Sequence, residues 1–103
     1  MANNILQANT GIKEKVIQEI IQLAKKNNVG KVILFGSRAR GDYKEKSDID
    51  LAFMGGNSSQ FILSVDEDTS TLLQFDVIDL EKPVRKELME SIEKEGISIY
   101  EKI

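Results

Sequence analysis

Two aspartates, Asp48 and Asp50, stand one residue apart in a run, Asp48-Ile49-Asp50-Leu51-Ala52-Phe53-Met54, in which Ile49, Leu51 and Phe53 alternate with the other four. Such alternation reads as a β-strand, and on a strand both carboxylates leave the same face with α-carbons about 6.6 Å apart. Two carboxylates so placed can hold a hard divalent cation between them. A solvated outer strand face would look the same. Aspartate is a poor strand former, however, so the pair calls for a compensation that a bound cation would provide. In Leu73–Leu80 the residues Leu73, Phe75 and Val77 share one apolar face, which sends Asp76 to the other. If the two strands are neighbours, Asp76 joins Asp48 and Asp50. Three converging carboxylates raise one another's pKa values unless cations neutralise them, and phosphoryl chemistry on two metal ions uses this arrangement. Asp79 falls on the core-side parity near the strand end, where it is expected to turn to solvent or cap the next helix.

Upstream, Gly36-Ser37 follows a short apolar run. A turn there can offer backbone N–H groups and a hydroxyl to a phosphate, especially if a short helix begins at Ser37. Arg38 and Arg40 add cationic donors suited to phosphate oxygens. Taken without the aspartates, the same residues make an ordinary polar turn. Gly36-x4-Gly41 superficially looks like a P-loop, but Asp42-Tyr43 stands where Lys-Ser/Thr would be required.

These residues need elements to position them. Ile12, Val16, Ile20 and Leu23, widened by Ile17, Ile21 and Ala24, predict an amphipathic helix over about 11–28, with Thr10 as N-cap and Gly30 in the left-handed conformation as its stop. Lys31–Phe35 reads as a buried strand bounded by glycines. Residues 58–70 carry a weak helical signal in Phe61, Ile62 and Val65, with Ser58 or Ser59 as cap. Pro83 suits the first turn of a helix bearing Val84, Leu88, Met89 and Ile92. Gly96 closes that helix and Ile97–Tyr100 forms a last strand. Helices interleaved with strands indicate one α+β domain over 1–103, a short mixed sheet flanked by helices, with 1–9 expected to be disordered.

The composition narrows the chemistry. The 103 residues include no cysteine and no histidine, and 14 Lys and Arg are set against 17 Asp and Glu for a formal net charge of −3. Thiolate nucleophiles, Cys/His zinc sites and imidazole acid–base work are excluded, leaving carboxylates, hydroxyls, Lys, Arg and the backbone. A hard, oxygen-liganded ion such as magnesium is the metal this set suits. The acidic balance argues against gripping long nucleic acid. MANNILQANT has neither the basic start nor the apolar run of a targeting signal, and no stretch is apolar enough for a membrane span, so the expectation is a cytoplasmic protein.

The segment GSRARGDYKEKSDIDLAF resembles the G-S-x10-D-x-D signature of the nucleotidyltransferase superfamily of polymerase-β-like fold, and the chain looks most like its minimal members. That resemblance implies Gly36 and Ser37 on the β- and γ-phosphates of a nucleoside triphosphate, Arg38 and Arg40 as further phosphate contacts, and Asp48, Asp50 and Asp76 as catalytic magnesium ligands. It also implies Mg2+, in two ions, as cofactor, with ATP as substrate. Larger members carry a helical acceptor-binding domain for which this chain has no residues left, so a partner subunit is expected, in a homo- or hetero-oligomer. Minimal nucleotidyltransferases resemble the antitoxin halves of toxin–antitoxin modules whose partner is an all-helical toxin of the HEPN kind. The leading reading is therefore AMP transfer to a tyrosine of such a toxin. Two other readings remain open: a two-subunit enzyme acting on a small molecule such as an aminoglycoside, and a non-catalytic antitoxin that neutralises by binding.

Overall fold

In the computed structural model the structure describes residues 9–102. The chain runs α1 (Glu14–Lys26), β1 (Lys31–Phe35), α2 (Ser37–Arg40), β2 (Ile49–Met54), α3 (Ser58–Asp68), β3 (Phe75–Asp79), α4 (Lys86–Glu95) and β4 (Ile97–Glu101). The strands form one mixed sheet in the order β3-β2-β1-β4. β1 is antiparallel to β2 and β4, while β2 and β3 are parallel. The expected α+β fold with a short mixed sheet is what forms. The parallel pair needs a crossover, and α3 provides it.

Helices cover both faces of the sheet because the strands present apolar residues on both. Val16, Ile17, Ile20 and Ala24 of α1 and Phe61 and Val65 of α3 pack with Val32, Leu34, Ile49, Leu51 and Phe53 on one face. The Phe53 and Phe61 rings meet with centroids 5.0 Å apart, tilted by 59°. On the other face Ile92 and Leu88 of α4 lie with Phe35, Ala52, Ile33, Ile78 and Leu80. Strand parity places Asp50 on the face of Ala52, and Asp76 on that of Ile78, so both belong to the side that α4 covers.

Several termini differ from the sequence expectation. α1 starts at Glu14 behind Lys13, with no side-chain cap. Thr10 is instead buried, and its Oγ1 accepts the Ile12 N–H. The left-handed residue after α1 is Asn28, at φ 59°, rather than Gly30; asparagine tolerates that region nearly as glycine does. Asn57, not a serine, caps α3 by accepting the Gln60 N–H. Pro83 lies in the connection before α4, whose first turn begins at Lys86. Asp79 accepts the Glu81 N–H through Oδ1, closing the turn after β3. The expectation of disorder over 1–9 falls, apart from Asn9, outside the described residues. Among those described, no helix is long and apolar enough to cross a membrane.

Arg38 organises the connection from α2 to β2. It is only 1% exposed, and its guanidinium donates to the carbonyls of Ser47 (3.0 Å), Glu45 (3.0 Å) and Thr10 (2.9 Å). The Tyr43 ring lies over it at 4.8 Å. One cation thus gathers the residues just before Asp48 and ties them to the segment leading into α1. Replacing it withdraws a donor from each of three carbonyls, at about 1 kcal/mol or more each. Arg38→Met should therefore lower unfolding stability in urea by about 3 kcal/mol, with little recovery in Arg38→Lys, which lacks the planar fork. Arg40→Ala, at a 46% exposed side chain, should cost far less, because solvent screens its ion pairs. Equal costs for Arg38→Met and Arg40→Ala would contradict the bracing role.

Candidate active site

The site forms where β1 ends. Its last residue, Phe35, pairs with Asp50 across the β1–β2 ladder, and Asp50 in turn pairs with Asp76 across the β2–β3 ladder. The chain then turns at Gly36, with φ 79° and ψ −159°. A Cβ at this residue would collide with Oδ2 of Asp50. Both the positive φ and the contact therefore require glycine. Beyond it, α2 opens at Ser37, the Gly36 carbonyl accepts the N–H groups of Ala39 and Arg40, and Gly41 ends the turn in the left-handed region at φ 92°.

The register brings the three aspartates predicted from sequence into one neighbourhood. Asp50 is half-buried, while Asp48, just before β2, and Asp76 are exposed. Burial chiefly, then the charges of Asp76 and Asp48, push the Asp50 carboxyl up to about 6, with Glu95 adding to the rise and Arg40 opposing it. Among the described residues none of the three aspartates has a hydrogen-bonded or ion-paired side chain, and no group of three or more carboxylates is drawn together tightly enough to form a metal cage as it stands. The donor set nevertheless fits a hard divalent cation: three carboxylates with free oxygens, one of them held neutral into the weakly acidic range by burial and by its neighbours' charge.

The two arginines part company. Arg38, expected on phosphate, is buried with its guanidinium committed to backbone carbonyls, so that expectation is corrected: its role here is to hold the loop that carries Asp48. Arg40 stays at the site, its Nε on Asp42 at 3.1 Å and its Nη1 on Glu95 at 2.8 Å. Glu95 is the site residue that sequence reasoning missed. Its Oε2 also accepts the Gly36 N–H at 2.9 Å. No local motif marks Glu95, since its partners lie 55 and 59 residues away.

Two measurements follow from this geometry. Gly36→Ala should cost roughly 2 kcal/mol in urea denaturation through backbone strain and the Asp50 collision, and clearly less in an Asp50→Ala background, where that collision is gone. An unchanged cost would mean that the two residues do not touch. The Asp50 carboxyl, at about 6 in the fold against an ordinary 3.8, binds its proton more tightly folded than unfolded. Its contribution therefore favours the fold at low pH, declines as pH rises from about 4 to about 6, and stays lost above. The stability gained by Asp50→Asn over the native chain should accordingly be larger at pH 7.5 than at pH 4; a difference independent of pH would contradict the shift.

Comparisons with known proteins fit this arrangement. A family profile described as "Polymerase beta, Nucleotidyltransferase" matches residues 18–103. The Methanocaldococcus jannaschii protein named "Putative protein adenylyltransferase MJ0604" is 39% identical over 69 residues, covering 64% of this chain and 67% of that one. Among solved structures, a toxin-antitoxin with AMP-PNP matches with a TM-score of 0.64 at 22% identity, over 84% of this chain and 73% of that chain. A mutant of the toxin-antitoxin MntA-HpeT, in which two aspartates separated by one residue are changed to glutamate, matches with a TM-score of 0.63 at 20% identity, over the same shares. Both share the fold. Matched by that family profile from residue 18 to residue 103, most of its length, the chain belongs to the polymerase beta nucleotidyltransferase family.

Proposed function

We propose that this nucleotidyltransferase moves AMP from magnesium-bound ATP to a tyrosine hydroxyl of an all-helical, HEPN-type partner toxin, in the cytoplasm, and so acts as its antitoxin. The observation that carries the reading is the contact of the Gly36 turn with Asp50, which puts a phosphate-binding turn against a carboxylate cluster. Supporting it from outside are the relative named for protein adenylylation and the toxin-antitoxin structure holding AMP-PNP, an ATP analogue.

In this reading the Gly36-Ser37 turn and Arg40 bind the β- and γ-phosphates through a backbone amide, a hydroxyl and a guanidinium. Asp48, Asp50 and Asp76 would hold magnesium, which when bound would supply charge neutralisation on the phosphates and lower the pKa of the attacking hydroxyl. The acceptor oxygen forms a bond to the α-phosphorus in line with the bond to the β-phosphate bridge, which breaks, and diphosphate leaves. Asp76, which is exposed, orients the acceptor hydroxyl and takes up its proton. Positioning and electrostatics supply most of the acceleration, which is why a chain without histidine or cysteine suffices.

Incubating the purified protein with its co-expressed partner, ATP and magnesium should add one or more AMP groups to a partner tyrosine, read by mass spectrometry. Asp48→Ala should slow labelling by at least about 100-fold and cease to protect against the toxin. No adduct despite demonstrated ATP binding, or full protection by Asp48→Ala, would overturn the proposal.

A further inference from the structure

Glu95, the last residue of α4, reaches the phosphate-binding turn from the far end of the chain. A single oxygen, Oε2, accepts both the Gly36 N–H at 2.9 Å and Arg40 Nη1 at 2.8 Å. The Glu95 side chain is 18% exposed, and its bond to the Gly36 N–H is partly buried while that to Arg40 faces solvent. An anionic oxygen here makes, to the same two donors and at charge-assisted distances, the bonds that a nucleotide phosphate oxygen would make. Gly36 is thereby held on two sides, with the Asp50 carboxylate against its Cα and the Glu95 carboxylate on its N–H. Asp50 also feels the Glu95 charge. An arriving polyphosphate therefore finds two of its donors occupied and a further negative charge beside the cluster.

We propose that Glu95 is a latch on the phosphate site: its carboxylate stands in for a phosphate on Gly36 and Arg40, and a magnesium-bound polyphosphate must displace it to bind. The inference rests on the nucleotidyltransferase reading of those two residues. Release needs only rotation of the Glu95 side chain, because the backbone at this point is fixed by the Gly96 N–H on the Ile92 carbonyl at 2.9 Å and by β4 pairing directly beyond. The latch weakens polyphosphate affinity by the fraction of time it is open, about fivefold if open about one-fifth of the time. It leaves untouched any ligand that lacks phosphates.

Calorimetric titration of the full chain with magnesium tripolyphosphate, magnesium-ATP and adenosine tests this. Glu95→Gln and Glu95→Ala should both bind the two polyphosphates at least about fivefold tighter than the native chain, with adenosine affinity unchanged, a split that a merely structural role would not produce. Equal or weaker polyphosphate binding in both variants, with native binding intact, would overturn the latch and leave the proposed function standing. Absence of polyphosphate binding in the native chain and both variants would overturn the two together. Should the variants fold poorly, the native protein decides by NMR: tripolyphosphate should shift the Gly36 amide and the Glu95 carboxylate resonances together, and a Glu95 resonance that does not move would overturn the latch.

Discussion

The approach of the Gly36 backbone to the Asp50 carboxylate is the constraint on which the rest of the structure depends. It requires a residue without a side chain at the end of β1, a positive φ at that residue, and a cross-strand register that pairs Phe35 with Asp50. A slip of one residue in that ladder would turn Asp50 into the core beneath α1 and carry Leu51 out of it. The buried set Ile49, Leu51 and Phe53 therefore does more than stabilise the sheet. By fixing register on one face it fixes the carboxylates on the other.

Charge is managed unevenly around this contact. Asp50, Asp48, Asp76 and Glu95 gather near a turn whose nearest cation is Arg40, and the second arginine of the motif is spent on the loop carbonyls beneath Tyr43. The site is thus short of positive charge as folded, a condition that disfavours the fold at neutral pH and that a divalent cation would relieve.

Much of this was legible in the sequence, for identifiable physical reasons. Period-two alternation in 48–54 and 73–80 gave both the strands and the faces of Asp50 and Asp76, because a strand has only two sides. The spacing of Val16, Ile20 and Ala24 gave α1, and Gly36 marked the turn after β1, whereas the exit from α1 is made by Asn28 and not by Gly30. Helix starts were less legible, since Lys13 and Arg85 occupy N-cap positions without a capping side chain. Arg38 was misread because composition cannot tell a phosphate-binding arginine from one that burial has assigned to backbone carbonyls. Glu95 was missed because the two residues it bonds are more than fifty positions distant.

Paramagnetic broadening by manganese, used in place of magnesium, tests most directly whether turn and carboxylates form one metal–nucleotide site. Substoichiometric Mn2+ added to the labelled protein with ATP should broaden first the amides of Gly36, Ser37, Asp48, Asp50 and Asp76, together and from a single binding event. Broadening centred elsewhere, or reaching the aspartates while leaving Gly36 and Ser37 sharp, would contradict a shared site.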